Sequence, residues 1–162
     1  MRHVQLMRVY RICKKEHSKT GQQAMSGEGG LHASARWHTR GRRIIYTATC
    51  TPLAILEIAV NLRQAKIIPD YVIVEVDIPD ESIVALPDEK LPKGWDTTDS
   101  DPIISRAIGD KWLAGTVSLA LQVPSVVVPN QYNMLINPLH PEFDRVSFTD
   151  PTPFPFDARV KQ

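Results

Sequence analysis

The chain has almost no cysteine: Cys13 and Cys50 are its two. Two thiols are too few for a disulfide framework, and neither sits in metal-ligand spacing. There is no run of about 18 apolar residues, so no transmembrane helix is expected. An excess of one charge is missing too. Nineteen Lys and Arg face 18 Asp and Glu, for a net charge of +1. That balance leaves no broad field to attract nucleic acid or a membrane surface. Met1 leads into a strand-like segment, without a basic region and an apolar stretch, so no signal peptide is expected. A Walker loop, a GxGxxG after a strand, HExxH and GxSxG are all absent. The five histidines, His3, His17, His32, His38 and His140, never fall in ligand spacing, so no metal is expected. These absences point to a cytoplasmic domain with no membrane partner.

What is present suits one compact core. The 162 residues are 43% hydrophobic, enough to bury roughly two thirds of the unfolded surface in a single domain spanning 1–162. Thirteen prolines, mostly after Pro69, punctuate short segments and favour strands over a helical bundle. Val4 to Ile12 reads as a weakly alternating strand. Residues 13–43 form a long, basic, glycine-bearing loop, a length that is often functional. Ile44 to Thr49 is a short strand. Thr51-Pro52 then reads as an N-cap and first helical proline, opening a helix to about Lys66. That helix is apolar apart from a stripe of Glu57, Asn61 and Gln64, which predicts a largely buried helix. Tyr71 to Ile78 is the best strand, with Glu75 and Asp77 on one face. Ser82 to Leu86 adds a short one, and Asp101-Pro102 opens a second helix ending near Gly115. The runs LALQV, VVV, NMLIN and RVSF follow as short strands. The proline-rich tail, 152–162, is read as irregular. About seven strands and two helices, not strictly alternating, predict an α+β fold: a mixed or antiparallel sheet with flanking helices.

Several single polar residues stand beside these strands. Arg36 next to Trp37 could hold a phosphate and an aromatic ring, although a solvated arginine beside a core tryptophan is the commoner arrangement. Arg40, Arg42 and Arg43 join Arg36 in a local basic cluster that fits a small-anion site or a solvated loop. Tyr46 is a strand tyrosine whose ordinary role is core packing. Glu57 is either solvent-facing or a cleft carboxylate able to stabilise developing positive charge. Ser125, between prolines and valines, ordinarily satisfies backbone.

Taken together and in order, these segments resemble the RES domain, named for its arginine, glutamate and serine. VYRI at 9–12 resembles the family's opening strand. SARWHTRGRRIIYTA at 34–48 resembles its Gly-x-Arg-Trp-Asn segment, glycine turn and tyrosine-bearing strand. PLAILE at 52–57, IGDKWLAG at 108–115 and VPSVVVPNQYNMLINPLHPEF at 123–143 resemble its later segments. Two positions depart: Ser34 stands where the family has glycine, and His38 where it has asparagine. Serine can replace glycine unless φ is positive there.

The resemblance implies a fold similar to ADP-ribosyltransferases. It also implies a bacterial toxin of a type II toxin–antitoxin pair, held in an oligomeric complex by an Xre-like helix-turn-helix antitoxin. NAD would be its substrate and no metal would be needed. Arg36, Tyr46, Glu57 and Ser125 would be catalytic. Arg11, Trp37, His38, Arg43 and Asn137 would bind NAD: the arginines its pyrophosphate, Trp37 its rings, Asn137 its ribose or amide. Breaking the nicotinamide–ribose bond builds oxocarbenium character that an ionised Glu57 would stabilise. Two rival readings are a non-catalytic nucleotide- or partner-binding module and, more remotely, a nucleic-acid contact through the arginine loop, which salt would weaken steeply.

Overall fold

The computed structural model describes residues 3–62 and 65–161. In chain order the elements are β1 (Leu6–Lys14), α1 (Gly21–Ala24), α2 (Gly29–His32), β2 (Ile45–Ala48), α3 (Thr51–Ala59) and β3 (Tyr71–Pro79). There follow β4 (Ile83–Ala85), α4 (Ile103–Gly115), β5 (Ala120–Pro124), β6 (Tyr132–Ile136), β7 (Ser147–Phe148) and β8 (Thr152–Phe154). The strands form one sheet in the order β4-β5-β6-β2-β1-β3-β7, with β8 also on β3. Among the described residues only β4 and β5 run parallel, so the fold is α+β around a mixed sheet.

β1 and β3 pair along their whole length, from Leu6 against Pro79 to Lys14 against Tyr71. On β3 the alternation holds: Val72, Val74, Val76 and Ile78 are buried, while Asp77 takes both Nε and Nη2 of Arg8 at 2.9 Å. β1 alternates weakly because both its faces are covered. Val9 packs with Ala24 and Met25 beside α1, and Ile12 packs with Leu53 and Ala54 of α3.

The structure corrects several expectations. The first helix has Cys50, not Thr51, as its cap and ends at Ala59 rather than Lys66. The Asn61 side-chain amide donates to the Glu57 carbonyl at 3.1 Å, and the backbone tightens into i→i−3 bonds at Asn61 and Leu62. Gln64 lies outside the described residues. α3 is also less buried than its composition suggests, with Leu56 41% and Val60 44% exposed. Residues 126–128 turn instead of forming a strand, because the Ser125 hydroxyl accepts the N–H groups of Val127 and Val128. The tail is not irregular: Thr152–Phe154 pairs with β3, and Phe156 packs on Tyr71. Inside the long loop, α1 and α2 are single turns, too short to show periodicity. No described helix is long and apolar enough to cross a membrane.

Candidate active site

β1 and β2 share one described pair, Tyr10 with Ala48, and part beyond it. The gap exposes backbone that a sheet would normally pair. Arg11 fills it: Nη1 donates to the Tyr46 carbonyl at 3.0 Å and Nε to the Ala24 carbonyl at 2.7 Å. Its Nη2 has no partner among the described residues. A slit of about 110 Å³ opens here, walled by Tyr10, Arg11, Tyr46, Ala54, Glu57 and Asn133 among others. A larger cavity of about 600 Å³ adjoins at Arg11 and carries Lys14, Lys19, His17 and His32. Glu16 and Glu28 line the same cavity, 3.1 Å from His17 and 3.9 Å from His32, so the annex is roomy and mixed in charge.

Glu57 is the carboxylate of the slit. Its Oε1 accepts from Ser125 Oγ and from Asn133 Nδ2, both at 2.7 Å. These short, charge-assisted bonds pin one oxygen. Oε2 has no hydrogen-bond partner among the described residues. Ser125 is 8% exposed and works in both directions, donating to Glu57 while accepting two backbone N–H groups at 3.1 Å. Ser125→Ala removes one donor and strands two amides. The expected cost is about 2 kcal/mol, or a melting temperature lower by about 4–8 °C, measurable by thermal denaturation.

Tyr46 is anchored by its hydroxyl, which accepts the Trp37 N–H at 3.1 Å and lies 2.8 Å from His38 Nδ1. Burial pushes the phenol well above its ordinary range, so it stays neutral.

Arg36 donates to the carbonyls of Thr97 at 3.0 Å and Trp95 at 3.4 Å. Burial lowers its pKa, opposed by the fields of Glu57 and Asp96. Helix α4 holds this segment from behind. Ser105 Oγ donates to the Arg36 carbonyl, Arg106 Nε to the Ala35 carbonyl, and Asp110 accepts from Thr39. Gly109 lets the helix lie directly on Trp37, where a Cβ would overlap the Trp37 carbonyl oxygen. Ser34 has no positive φ, and its hydroxyl accepts the Arg40 N–H at 2.8 Å, so serine fits the glycine position.

The structure therefore gathers Arg11, Tyr46, Glu57 and Ser125, with Arg36 nearby in the field of Glu57. It does not gather the rest. Trp37 is 2% exposed and packs on Trp95 at 5.7 Å, so its ring offers no face to a substrate. His38 is 3% exposed with both ring nitrogens engaged by the protein, which removes it from direct contact. Arg43 donates to the Ser26 carbonyl away from the slit, and Arg42 pairs with Asp110, so the basic cluster disperses. Asn137 is 2% exposed and closes a turn at the far end of β6, its Oδ1 accepting from Leu139. The asparagine of the site is Asn133, which the sequence reading missed. Its position follows from register, since Asn133 pairs with Ala48 at the point where β1 and β2 separate.

A mixed sheet that parts over a pinned carboxylate defines a small α+β domain built around a cleft. The family model described as RES domain matches residues 8–157. The Toxin Res of Yersinia enterocolitica is 32% identical over 96% of this chain and 100% of its own. That of Pseudomonas putida is 36% identical over 84% of this chain and 92% of its own. The Prs ADP-ribosylating toxin of a Sphingobium species is 34% identical, covering 84% and 86%. The chain belongs to the RES-domain family of toxins. Among solved structures, a chain of the M. tuberculosis MbcT-MbcA toxin-antitoxin complex shares the fold, with a TM-score of 0.74 over 93% of this chain and 85% of that one, at 15% identity.

Proposed function

We propose that this toxin cleaves the nicotinamide–ribose bond of NAD and passes ADP-ribose to water, phosphate or a protein side chain. One observation carries the reading: Glu57 stands in the slit wall with Oε1 tied by Ser125 and Asn133 and Oε2 unpaired among the described residues. The C1′–N bond breaks with its electron pair moving to the nicotinamide nitrogen, which neutralises the pyridinium. No proton is needed for departure. The ionised Glu57 stabilises the oxocarbenium charge left on the ribose, or binds its 2-hydroxyl. The acceptor oxygen then bonds to C1′ and releases its proton. Tyr46 offers a flat ring to the nicotinamide or ribose, Arg11 and Arg36 meet the pyrophosphate, and Ser125 positions Glu57.

The relatives' names as Res toxins, and the name of the toxin-antitoxin complex that shares the fold, support an antitoxin as partner; its helix-turn-helix, Xre-like type and the oligomeric complex are what the family resemblance implies. The name of the Sphingobium relative favours a protein acceptor. The family match over 8–157 is compatible with reading 1–162 as one RES-like domain. Incubation with NAD, with and without phosphate, followed by analysis of nicotinamide and ADP-ribose products, tests the reaction. A labelled-NAD blot of cell lysate tests for a protein acceptor. NAD bound and returned intact in both assays would replace the enzyme with a binding module.

A further inference from the structure

His38 lines neither the slit nor the larger cavity, yet it contacts Tyr46, which does line the slit. Its Nε2 lies 2.8 Å from the Ala33 carbonyl, which can only accept, so Nε2 carries the hydrogen. In the neutral ring Nδ1 is then bare, 2.8 Å from the Tyr46 hydroxyl. The phenol gives its hydrogen to Nδ1 and uses a lone pair on the Trp37 N–H. Both polar functions of Tyr46 thus face the 37–38 segment, and what remains for the slit is the ring. We propose that His38 is a positioning residue: its bare Nδ1 takes the Tyr46 phenolic proton and so fixes the ring that lines the slit. The proposal rests on the NAD-cleaving reading for its kinetics, but not for its structural content.

The surroundings favour the neutral ring. His38 is 3% exposed. Burial lowers its pKa below the usual histidine range, with Asp110 and Arg106 of α4 acting in opposite senses and Tyr46 of β2 neutral beside it. Room for the ring comes from Gly30, where a Cβ would stand 3.2 Å from Nε2. Protonation would place an N–H where Tyr46 needs an acceptor. The phenolic hydrogen then loses its acceptor and must turn away, while the oxygen is left to accept from a buried charge.

Asparagine is the informative substitution, because its amide oxygen can occupy the place of Nδ1 and does not titrate. His38→Asn is expected to keep kcat/KM for NAD within about threefold of wild type at pH 8 and to shift the acid limb of the profile to lower pH. His38→Leu removes the acceptor and is expected to raise KM about five- to tenfold, the worth of one hydrogen bond. An unshifted acid limb in His38→Asn, or a wild-type KM in His38→Leu, overturns the proposal. Nitrogen-15 NMR of the wild-type histidines provides a readout independent of activity. A bare Nδ1 and protonated Nε2 on His38 at pH 7.5 are expected, and the opposite tautomer overturns the proposal even if NAD is never consumed. Absence of NAD turnover in the wild type, with the expected tautomer present, counts against the NAD reading alone.

Discussion

On the proposed reaction, Glu57→Gln is expected to lower nicotinamide release from NAD by about 10²–10³-fold, the usual cost of losing one preorganised electrostatic stabiliser. The amide is nearly isosteric, and its oxygen can still accept from Ser125 and Asn133, so the fold should melt within about 2 °C of wild type. Charge is what the substitution removes. Ser125→Ala is the complementary experiment, keeping the charge and loosening its mount. If charge at the oxocarbenium dominates, Glu57→Gln is the more damaging to turnover and Ser125→Ala to stability. Full turnover by the glutamine variant would sink the assignment. Growth inhibition on expression should follow the same order.

Gly109→Ala unfolds the chain at a lower temperature although it improves the helix. Alanine is better than glycine in a helix interior by about 1 kcal/mol. Against that, the new Cβ would overlap the carbonyl oxygen of Trp37. Backbone meets backbone there, and no flexible side chain can give way. Overpacking costs about 1–3 kcal/mol, and a backbone-on-backbone clash belongs at the upper end, so the clash wins by about 2 kcal/mol, a drop of about 4–8 °C in melting temperature. The same displacement pulls on Ser105, Arg106 and Asp110, which hold the 35–39 segment. NAD consumption should therefore fall together with stability. A variant that melts at or above the wild type would show that α4 has slack against Trp37.

The strands and the Glu57–Ser125 pair were legible in the sequence for different reasons. β3 announced itself because Val72, Val74, Val76 and Ile78 are core while Glu75 and Asp77 lie on the other face, which writes alternation into the second half of the strand. Arg36, Glu57 and Ser125 were singled out by ordered resemblance, not by periodicity. Residues that depend on long-range register were not found. Asn133 and Asn137 both lie in the NMLIN run or at its end, and only the pairing of Ala48 with Asn133 decides which reaches Glu57. Trp37 and His38 sit beside Arg36 in sequence, and proximity in the chain suggested a shared task. The turn at Ala35 to His38 points their side chains inward while the guanidinium of Arg36 reaches out to the 95–97 loop. The valine run at 126–128 has strong strand propensity and was overruled by one serine hydroxyl.

The parting of β1 from β2 also bears on how the chain behaves in crowded solution. A gap within a sheet is two strand edges facing each other, and free edges recruit strands from other molecules. Arg11 occupies that gap, with its guanidinium bonded to Ala24 on one side and Tyr46 on the other. An intruding strand would have to displace a charge and break both bonds. The side chain proposed to meet a pyrophosphate thereby also covers backbone that would otherwise be a free strand edge. Removing it should make the protein stickier as well as less active.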